Sequence, residues 1–280
     1  MMTPACCDLI VPPGDGKGWA KGLSAAGDPR VARAAAAHRG LRYERRTPLT
    51  ECKWSRGGLT TLPLRWSDAM AYVVGLTATD GCLVSSRPRI DFTSDDRQLV
   101  ETYISVLGRA DRIAAARTRA GGVVFVVQMT DRSLYEWFRS VGLSPRKSLT
   151  IGSIDAPDEF LFPLVRGLLD GDGSIVNAVW RADTTRRSNY YWEYLRTKFV
   201  SGSRKHLEWL HERLRTTLNV RGWITRNDSA WALCFGKRDS LQLLPRLYPA
   251  PEVPCLFRKR AIWEDYQVRH AGDRGAPPLA

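Results

Sequence analysis

Two runs of apolar residues stand out from the mixed pattern of the chain, and each ends in an acid followed by glycine. The first, YVVGLTATDGCL, covers residues 72–83, and the second, LVRGLLDGDGSI, covers residues 164–175. Both runs are apolar on nearly every side, which is typical of helices buried inside a protein. The acids, Asp80 and Asp172, lie 92 positions apart. The pattern therefore predicts two equivalent buried helices, each with a carboxylate at its C-terminal end.

The same order of elements follows each buried helix. A pair of strands comes first, and then an amphipathic helix, a second hairpin and a short closing helix. In the first copy these elements cover residues 82–93, 95–108, 112–130 and 131–141, and in the second residues 174–200, 203–219, 220–235 and 239–248. The second hairpins are predicted to turn at Gly121-Gly122 and Asn227-Asp228. The chain is thus predicted to be an α+β protein in which the order αββαββα occurs twice.

This repeat divides the chain into five predicted parts. They are a basic N-terminal extension (1–62), a first repeat (63–144), a turn-rich linker (145–158), a second repeat (159–250), and a C-terminal helix and tail (251–280). In the last part an apolar stripe is predicted to dock on the second repeat, and the tail after residue 270 is predicted to be disordered. The stripe consists of Phe257, Ile262, Trp263 and Tyr266.

Small residues recur every fourth position along both buried helices. Gly75 lies in the lane of the first helix and Gly167 in that of the second. Lanes of small residues let two helix backbones approach closely. We therefore expect the two helices to pack on each other along these glycines, which would bring Asp80 and Asp172 together at their ends.

Two adjacent carboxylates at two helix C-termini repel each other, and the helix dipoles add further negative potential. A divalent cation with oxygen ligands would remove this cost. Asp80 and Asp172 are therefore predicted to bind a divalent cation, helped by the backbone carbonyls of Thr79 and Gly171. Such metals beside a phosphodiester can activate water and stabilise the leaving oxygen.

Composition points to a polyanionic partner. The formal net charge is +13, and only eight of the 42 basic residues are lysine. Arginine offers a bidentate fork to phosphates and to guanine, so nucleic acid is favoured over an anionic membrane surface.

No apolar run approaches the ~18 residues that a membrane span needs. Six scattered cysteines without a C-x-x-C pair, and no secretory signal, predict reduced thiols in a cytoplasmic protein, with a bacterial nucleoid or an organelle as compatible settings.

The two acid-tipped segments resemble the motifs of single-chain LAGLIDADG homing endonucleases. They read VVGLTATDG over residues 73–81 and VRGLLDGDG over residues 165–173, and the resemblance covers roughly residues 64–248. The first copy departs from the pattern by carrying Ala78 where an earlier acid often stands. The resemblance implies two pseudo-twofold αββαββα repeats whose antiparallel sheets form a DNA-binding saddle.

The resemblance also implies an activity and its site. The last motif acid of each repeat, Asp80 and Asp172, would hold a divalent metal, Mg²⁺ or Mn²⁺. Double-stranded DNA would be cut at a long asymmetric site with short 3′ overhangs. A basic residue near the end of the last strand is expected to assist, which falls on Lys237 in the second repeat and only on Gln128 in the first. The protein would be a monomer that contains an internal pseudo-dimer.

The faces of the predicted strands supply candidate DNA contacts. Arginine suits guanine edges and phosphates alike, and the sequence does not say which of them each residue contacts. The candidates are Arg87, Arg89, Asp91, Thr93, Arg117 and Arg119 in the first repeat, and Arg181, Arg186, Arg187, Tyr194, Arg196, Lys198, Arg221, Trp223, Thr225 and Arg226 in the second.

Two alternatives and one accessory element remain open at this point. A LAGLIDADG scaffold could serve as a transcription regulator or an RNA-splicing maturase without cutting, although both motif acids are present; RNA is a partner only in the maturase case.

Residues 18–40 weakly resemble the DNA-binding modules attached to homing nucleases, which predicts an accessory clamp on flanking DNA. A disordered basic leader is the competing interpretation of that segment.

Overall fold

The computed structural model describes Gly27, Pro29 and residues 58–118, 120–181 and 191–271. The predicted N-terminal clamp, the insertion around residues 182–190 and the tail from residue 272 lie outside the described residues, apart from Gly27 and Pro29. All other described residues belong to one compact unit, residues 49–280. Within the described ranges no helix is both long and apolar enough to cross a membrane.

The two repeats have the predicted order of elements. The first consists of α1 (Asp68–Thr79), β1 (Gly81–Leu83), β2 (Arg89–Ser94), α2 (Arg97–Val106), β3 (Ala114–Arg117), β4 (Val123–Thr130) and α3 (Arg132–Ser140). The second consists of α4 (Leu161–Asp170), β5 (Ser174–Arg181), β6 (Tyr191–Ser201), α5 (Arg204–Leu218), β7 (Trp223–Asn227), β8 (Ala230–Phe235) and α6 (Lys237–Leu247). Helix α7 (Phe257–Arg269) follows, and short 3₁₀ turns at Lys147–Leu149 and Asp158–Phe160 lie in the linker. The α+β prediction with two αββαββα repeats is confirmed.

Each repeat contains one antiparallel four-stranded sheet. The strand orders, β1-β2-β4-β3 and β5-β6-β8-β7, are equivalent. The equivalence extends to single residues, because β2 reads RIDFTS and β6 reads RTKFVS. Ser94 and Ser201, at the ends of these strands, each accept a hydrogen bond from the backbone N–H two residues later. One face of each sheet packs on its own hydrophobic core, and the other, here called the open face, carries partly exposed side chains.

Helices α1 and α4 form the seam between the two cores. Residues 70–77 of α1 are all buried, and so are nine of the ten residues of α4. Tyr72 and Leu164 belong to the core of the first repeat, whereas Val165 and Leu169 belong to that of the second. Burial on several sides explains why neither helix shows the polar face of a surface helix.

Three local predictions differ from the structure. The last hairpin turns at Asp228-Ser229, one residue later than predicted, because Asn227 pairs with Ala230; Asp228 adopts a φ of 50°, which aspartate tolerates better than most residues. Helix α6 begins at Lys237, two residues before the predicted start. Phe257 is 66% exposed and does not join the docking stripe of α7, where Lys259 is buried together with Trp263 and Tyr266.

Candidate metal centre and nucleic-acid surface

The two glycines of the small-residue lanes are in backbone contact across the seam. A Cβ atom added at Gly75 would lie 2.2 Å from the carbonyl oxygen of Leu164, and one at Gly167 would lie 2.3 Å from that of Tyr72. Neither distance leaves room for a methyl group, so only glycine permits this approach. The structure thus places Gly75 and Gly167 at the interface between α1 and α4.

This packing brings the two motif acids to one cleft. Asp80 caps the C-terminus of α1, and Asp172 follows α4 by two residues. Both line an open cleft of about 420 Å³, together with Thr93, Asp95 and Lys259. Burial and the charge of Asp172 raise the pKa of Asp80 to about 7, and burial raises the pKa of Asp172. The raised values show that the two charged carboxylates are costly in this place without a cation.

Two buried lysines lie behind the acids, and the sequence analysis missed both. The ammonium of Lys147, in the linker, donates to the carbonyl oxygen of Gly81. The ammonium of Lys259, in α7, donates to the carbonyl oxygens of Leu169, Asp170 and Gly171 at 2.7, 2.7 and 2.9 Å. Burial lowers the pKa of Lys147, and burial lowers the pKa of Lys259 to about 8.

The two lysines hold equivalent positions in the repeat. Each follows the closing helix of its own repeat, and each reaches the C-terminal end of the motif helix of that repeat, where cations are favoured. One signal in the sequence could have revealed them: the basic pairs Arg146-Lys147 and Arg258-Lys259 follow the closing helices α3 and α6.

A third motif acid, Asp170, anchors the C-terminal segment. Its carboxylate is fully buried and accepts hydrogen bonds from the hydroxyls of Tyr72 (3.0 Å) and Tyr248 (2.9 Å) and from the backbone N–H of Leu256 (2.8 Å). Burial raises the pKa of Asp170 to about 6. The segment also contacts the first repeat, because Gln98 of α2 accepts from the N–H of Phe257 and donates to the carbonyl of Cys255. The C-terminal segment therefore contacts both repeats. Helix α7 docks on the second repeat, and hydrogen bonds to Gln98 join its start to the first repeat.

The open faces of the sheets carry a polar surface beside the cleft. Buried Ile90 and Phe92 alternate with Arg89, Asp91 and Thr93 along β2, and in β6 the alternation places three predicted contacts on the open face. These are Tyr194, Arg196 and Lys198. The register of β7 adds Trp223 and Thr225 to the same face.

Several solved structures share this arrangement, although no protein-family model and no curated protein sequence matches the chain. The meganuclease I-SmaMI bound to uncleavable DNA matches with a TM-score of 0.50 and 11% identity over 75% of this chain and 91% of its own. The homing endonuclease I-WcaI bound to its DNA recognition sequence gives a TM-score of 0.48 and 11% identity, covering 70% and 88%. The N-terminal LAGLIDADG domain of DUF199/WhiA gives 0.46 and 13%, covering 76% and 96%.

The chain has the LAGLIDADG homing endonuclease fold. Within this fold, α1 and α4 are the two motif helices, and Asp80 and Asp172 are their terminal acids. The fold is established by the I-SmaMI likeness together with the observed repeat.

The structure places the predicted assisting residues away from the acids. The ammonium of Lys237 contacts the carboxylate of Glu193. Glu193 lies five residues before Lys198 in β6, roughly 16 Å along the strand. Gln128 is exposed in β4 and pairs with Asp91, whereas Thr93, two residues along β2, lines the cleft. Lys147 and Lys259, and not Lys237, are the lysines whose charges act on Asp80 and Asp172.

Not every predicted DNA contact shares the open face. By strand register Arg117, Arg181 and Arg226 lie on the helix side of the sheets, and Arg226 stacks on Trp231 at 5.0 Å. Arg87 is exposed in the turn before β2, and Arg221 is exposed before β7. Arg119, Arg186 and Arg187 lie outside the described residues.

The residues present fit a divalent cation at Asp80 and Asp172, with one change to the predicted ligands. The Gly171 carbonyl accepts a hydrogen bond from Lys259, so the Asp172 carboxylate is the better candidate ligand. Thr79 donates its hydroxyl to the carbonyl of Leu76 at 2.9 Å, which fixes the last turn of α1 beside Asp80. In the described ranges no cluster of three or more histidine, cysteine or acidic side chains forms a preformed cage. The carboxylates of Asp80 and Asp172 are therefore the two side chains available to such a cation.

Proposed function

We propose that this protein is a site-specific endonuclease that cuts both strands of double-stranded DNA with the help of Mg²⁺ or Mn²⁺. The observation that carries the proposal is the meeting of Asp80 and Asp172, from two equivalent helices, in a cleft beside the open faces of two equivalent sheets. Two equivalent acids suit a duplex with two strands, because each acid would hold metal beside the scissile phosphate of one strand.

The charge distribution supports a duplex as the substrate. The net charge of +13 favours a phosphate backbone. Arg89, Arg196 and Lys198 lie on the open faces, where the edges of bases in a major groove could be contacted. I-SmaMI, which shares the fold, is bound to DNA.

Asp80 and Asp172 would hold the metal, which supplies activation of water and neutralisation of charge at the phosphate. The raised pKa of Asp80, about 7, supports this role, because a bound cation would favour the charged carboxylate. Lys147 and Lys259 would keep the two helix ends electrostatically neutral and fix the backbone on which the acids stand.

We further propose that the protein acts as a monomer in the compartment that holds its target DNA, whether a bacterial cytoplasm or an organelle. Both acids, both lysines and both sheets belong to one chain, so a second copy is not required to complete the cleft. The N-terminal clamp stays a separate prediction.

The test is selection of cleaved duplexes from a randomised library in Mg²⁺, followed by assays on the selected target. The wild-type chain should cut both strands in Mg²⁺ and neither in EDTA. Asp80→Asn and Asp172→Asn should each bind the target with unchanged affinity and lose double-strand cleavage, with a single-strand nick as the only residual product.

Asp265→Asn is the matched control, since Asp265 is an exposed acid on α7. This variant should cut at the wild-type rate. Specific binding without cleavage under any divalent metal would overturn the endonuclease proposal in favour of a regulator. Preference for a structured RNA over every duplex would do so in favour of a maturase.

A further inference from the structure

Arg89 and Arg196 occupy the same position in the two repeats. Arg89 opens the RIDFTS sequence of β2, and Arg196 opens the equivalent RTKFVS sequence in β6. Both project from the open face of an inner strand, since β2 and β6 are each second in their sheet. The Nε of each is buried without a hydrogen-bond partner, but the side chains around the two guanidinium groups differ.

Arg89 is neutralised by its own strand. Its guanidinium contacts the carboxylate of Asp91 at 2.8 Å. The equivalent of Asp91 in the second repeat is Lys198, so Arg196 has a second cation beside it instead of an acid. Arg196 therefore has free hydrogen-bonding capacity that Arg89 has already used in part.

Two aromatic rings enclose Arg196. Its guanidinium carbon lies 4.6 Å from the ring centre of Tyr194 and 5.3 Å from that of Trp223. Stacking of this kind attracts the cation and fixes the plane of the guanidinium. In the part of the chain that the structure describes, Arg196 makes no hydrogen bond or ion pair, and its Nε is buried without a partner.

This arrangement is a fixed donor fork that lacks its acceptor. Because Nε is buried, the part of the fork that a ligand can reach is the pair of terminal nitrogens, which make no hydrogen bond within the described residues. A planar arginine matches two acceptors in one plane, and in the major groove the O6 and N7 atoms of guanine provide that pair. Val176 and Trp223 are exposed apolar neighbours of the fork, and such surface favours the edge of a base over a fully charged phosphate.

We propose that Arg196 is a specificity-determining residue that selects a guanine in the half-site under the second repeat. The inference rests on the proposed function only in that a duplex occupies the open face. Val200, four residues along β6 from Arg196, lines a small cavity together with Asp172. Four residues span about 13 Å in a strand. With about 3.4 Å per base pair, the guanine lies roughly four base pairs outward from the phosphate beside Asp172.

The test measures binding in EDTA, so that cleavage does not enter. Duplexes are selected from a randomised library with the full-length wild-type chain. Affinities are then measured for the selected target, for the three other bases at the predicted position, and for 7-deazaguanine there. The wild-type chain should prefer guanine about tenfold or more and lose a similar factor with 7-deazaguanine, which lacks the N7 acceptor.

Arg196→Lys keeps the charge but removes the planar fork, and it should reduce both factors to less than about threefold. Arg204→Lys is the control, because Arg204 also stacks on an aromatic ring, Trp231 at 4.9 Å, but belongs to α5 and is ion-paired with Glu208. It should keep the full guanine preference. The thermal midpoints of both variants should match that of the wild type.

Two outcomes would overturn the inference. One is an Arg196→Lys variant that retains the guanine preference, and the other is a uniform loss of affinity for all four bases, which indicates a phosphate contact. A wild-type chain that selects no duplex would overturn this inference and the proposed function together. A chain that binds with the predicted base preference but never cuts would overturn only the endonuclease.

Discussion

The ammonium of Lys259 donates a 2.9 Å hydrogen bond to the carbonyl oxygen of Gly171, the residue directly before Asp172. Lys259 also reaches the two preceding carbonyls, so one cation satisfies three acceptors at the end of α4. Its charge opposes the rise in pKa of both Asp80 and Asp172. The C-terminal helix is therefore part of the cleft and not an appendage to it.

Replacing this lysine should damage the cleft and the fold together. In Lys259→Met the three carbonyls lose a charged donor, and we expect the free energy of unfolding to fall by about 2–4 kcal/mol. Single-turnover cleavage should fall at least tenfold at a temperature where the variant is fully folded, whereas DNA affinity without metal should change little. Lys205→Met, at an exposed position of α5, is the control and should change neither quantity. Wild-type cleavage by Lys259→Met would exclude Lys259 from the site.

Asp80→Asn should stabilise the metal-free protein in a pH-dependent way. The pKa of Asp80 is about 7 in the folded chain against an ordinary value of 3.8, so the folded state holds the proton more tightly than the unfolded state. The wild type therefore loses stability as the pH rises from about 4 to 7, and Asn does not ionise. The gain in thermal midpoint of Asp80→Asn over the wild type should be large at pH 8 and small at pH 5. An equal gain at both values would contradict the raised pKa.

The same shift predicts how metal binding depends on pH. Because metal needs the ionised carboxylate, Ca²⁺ should raise the thermal midpoint of the wild type more at pH 8 than at pH 6. The Asp80→Asn variant should show much less of this effect at either pH. Stabilisation by Ca²⁺ that is unchanged in Asp80→Asn would place the cation elsewhere.

The glycine seam should not tolerate a single methyl group. Gly75→Ala places a Cβ against the backbone of Leu164, which forces α1 and α4 apart. We expect a loss of about 3 kcal/mol or more, since backbone atoms cannot move aside like side chains. Gly152→Ala is the matched control, because a Cβ there meets nothing within 4 Å. Urea unfolding of both variants measures the difference, and similar midpoints for the two would refute the close packing.

The buried network of Asp170 should depend on its charge-accepting oxygens. Asp170→Asn keeps the shape but turns one acceptor into a donor, which then faces groups that also donate: two tyrosine hydroxyls and the N–H of Leu256. We expect a loss of about 1–3 kcal/mol in the free energy of unfolding. Limited proteolysis should cut the segment around residues 250–256 faster than in the wild type. Unchanged proteolysis would show that Asp170 does not anchor this segment.

The local pattern of the sequence was enough to predict the repeat, the two motif acids and the close packing of the helices at Gly75 and Gly167. Periodicity reports which residues of a helix or strand are buried, and Gly75, Gly167, Asp80 and Asp172 all belong to elements whose pattern is unambiguous. Their meeting could be expected from the sequence because two equivalent helices with equivalent lanes of small residues can pack closely along those lanes.

The partners of the two buried lysines and the surroundings of the predicted DNA contacts depend on the tertiary structure. Lys147 and Lys259 bond to carbonyls 66 and 88–90 positions away, and no local pattern encodes a partner at that distance. Arg226 was a predicted DNA contact, yet the pairing of β7 with β8 places it on the helix side of the sheet, opposite to Thr225. The position of Arg196 between Tyr194 and Trp223 likewise arises only when β6 and β7 join one sheet, which is why its surroundings are readable in the structure and not in the chain.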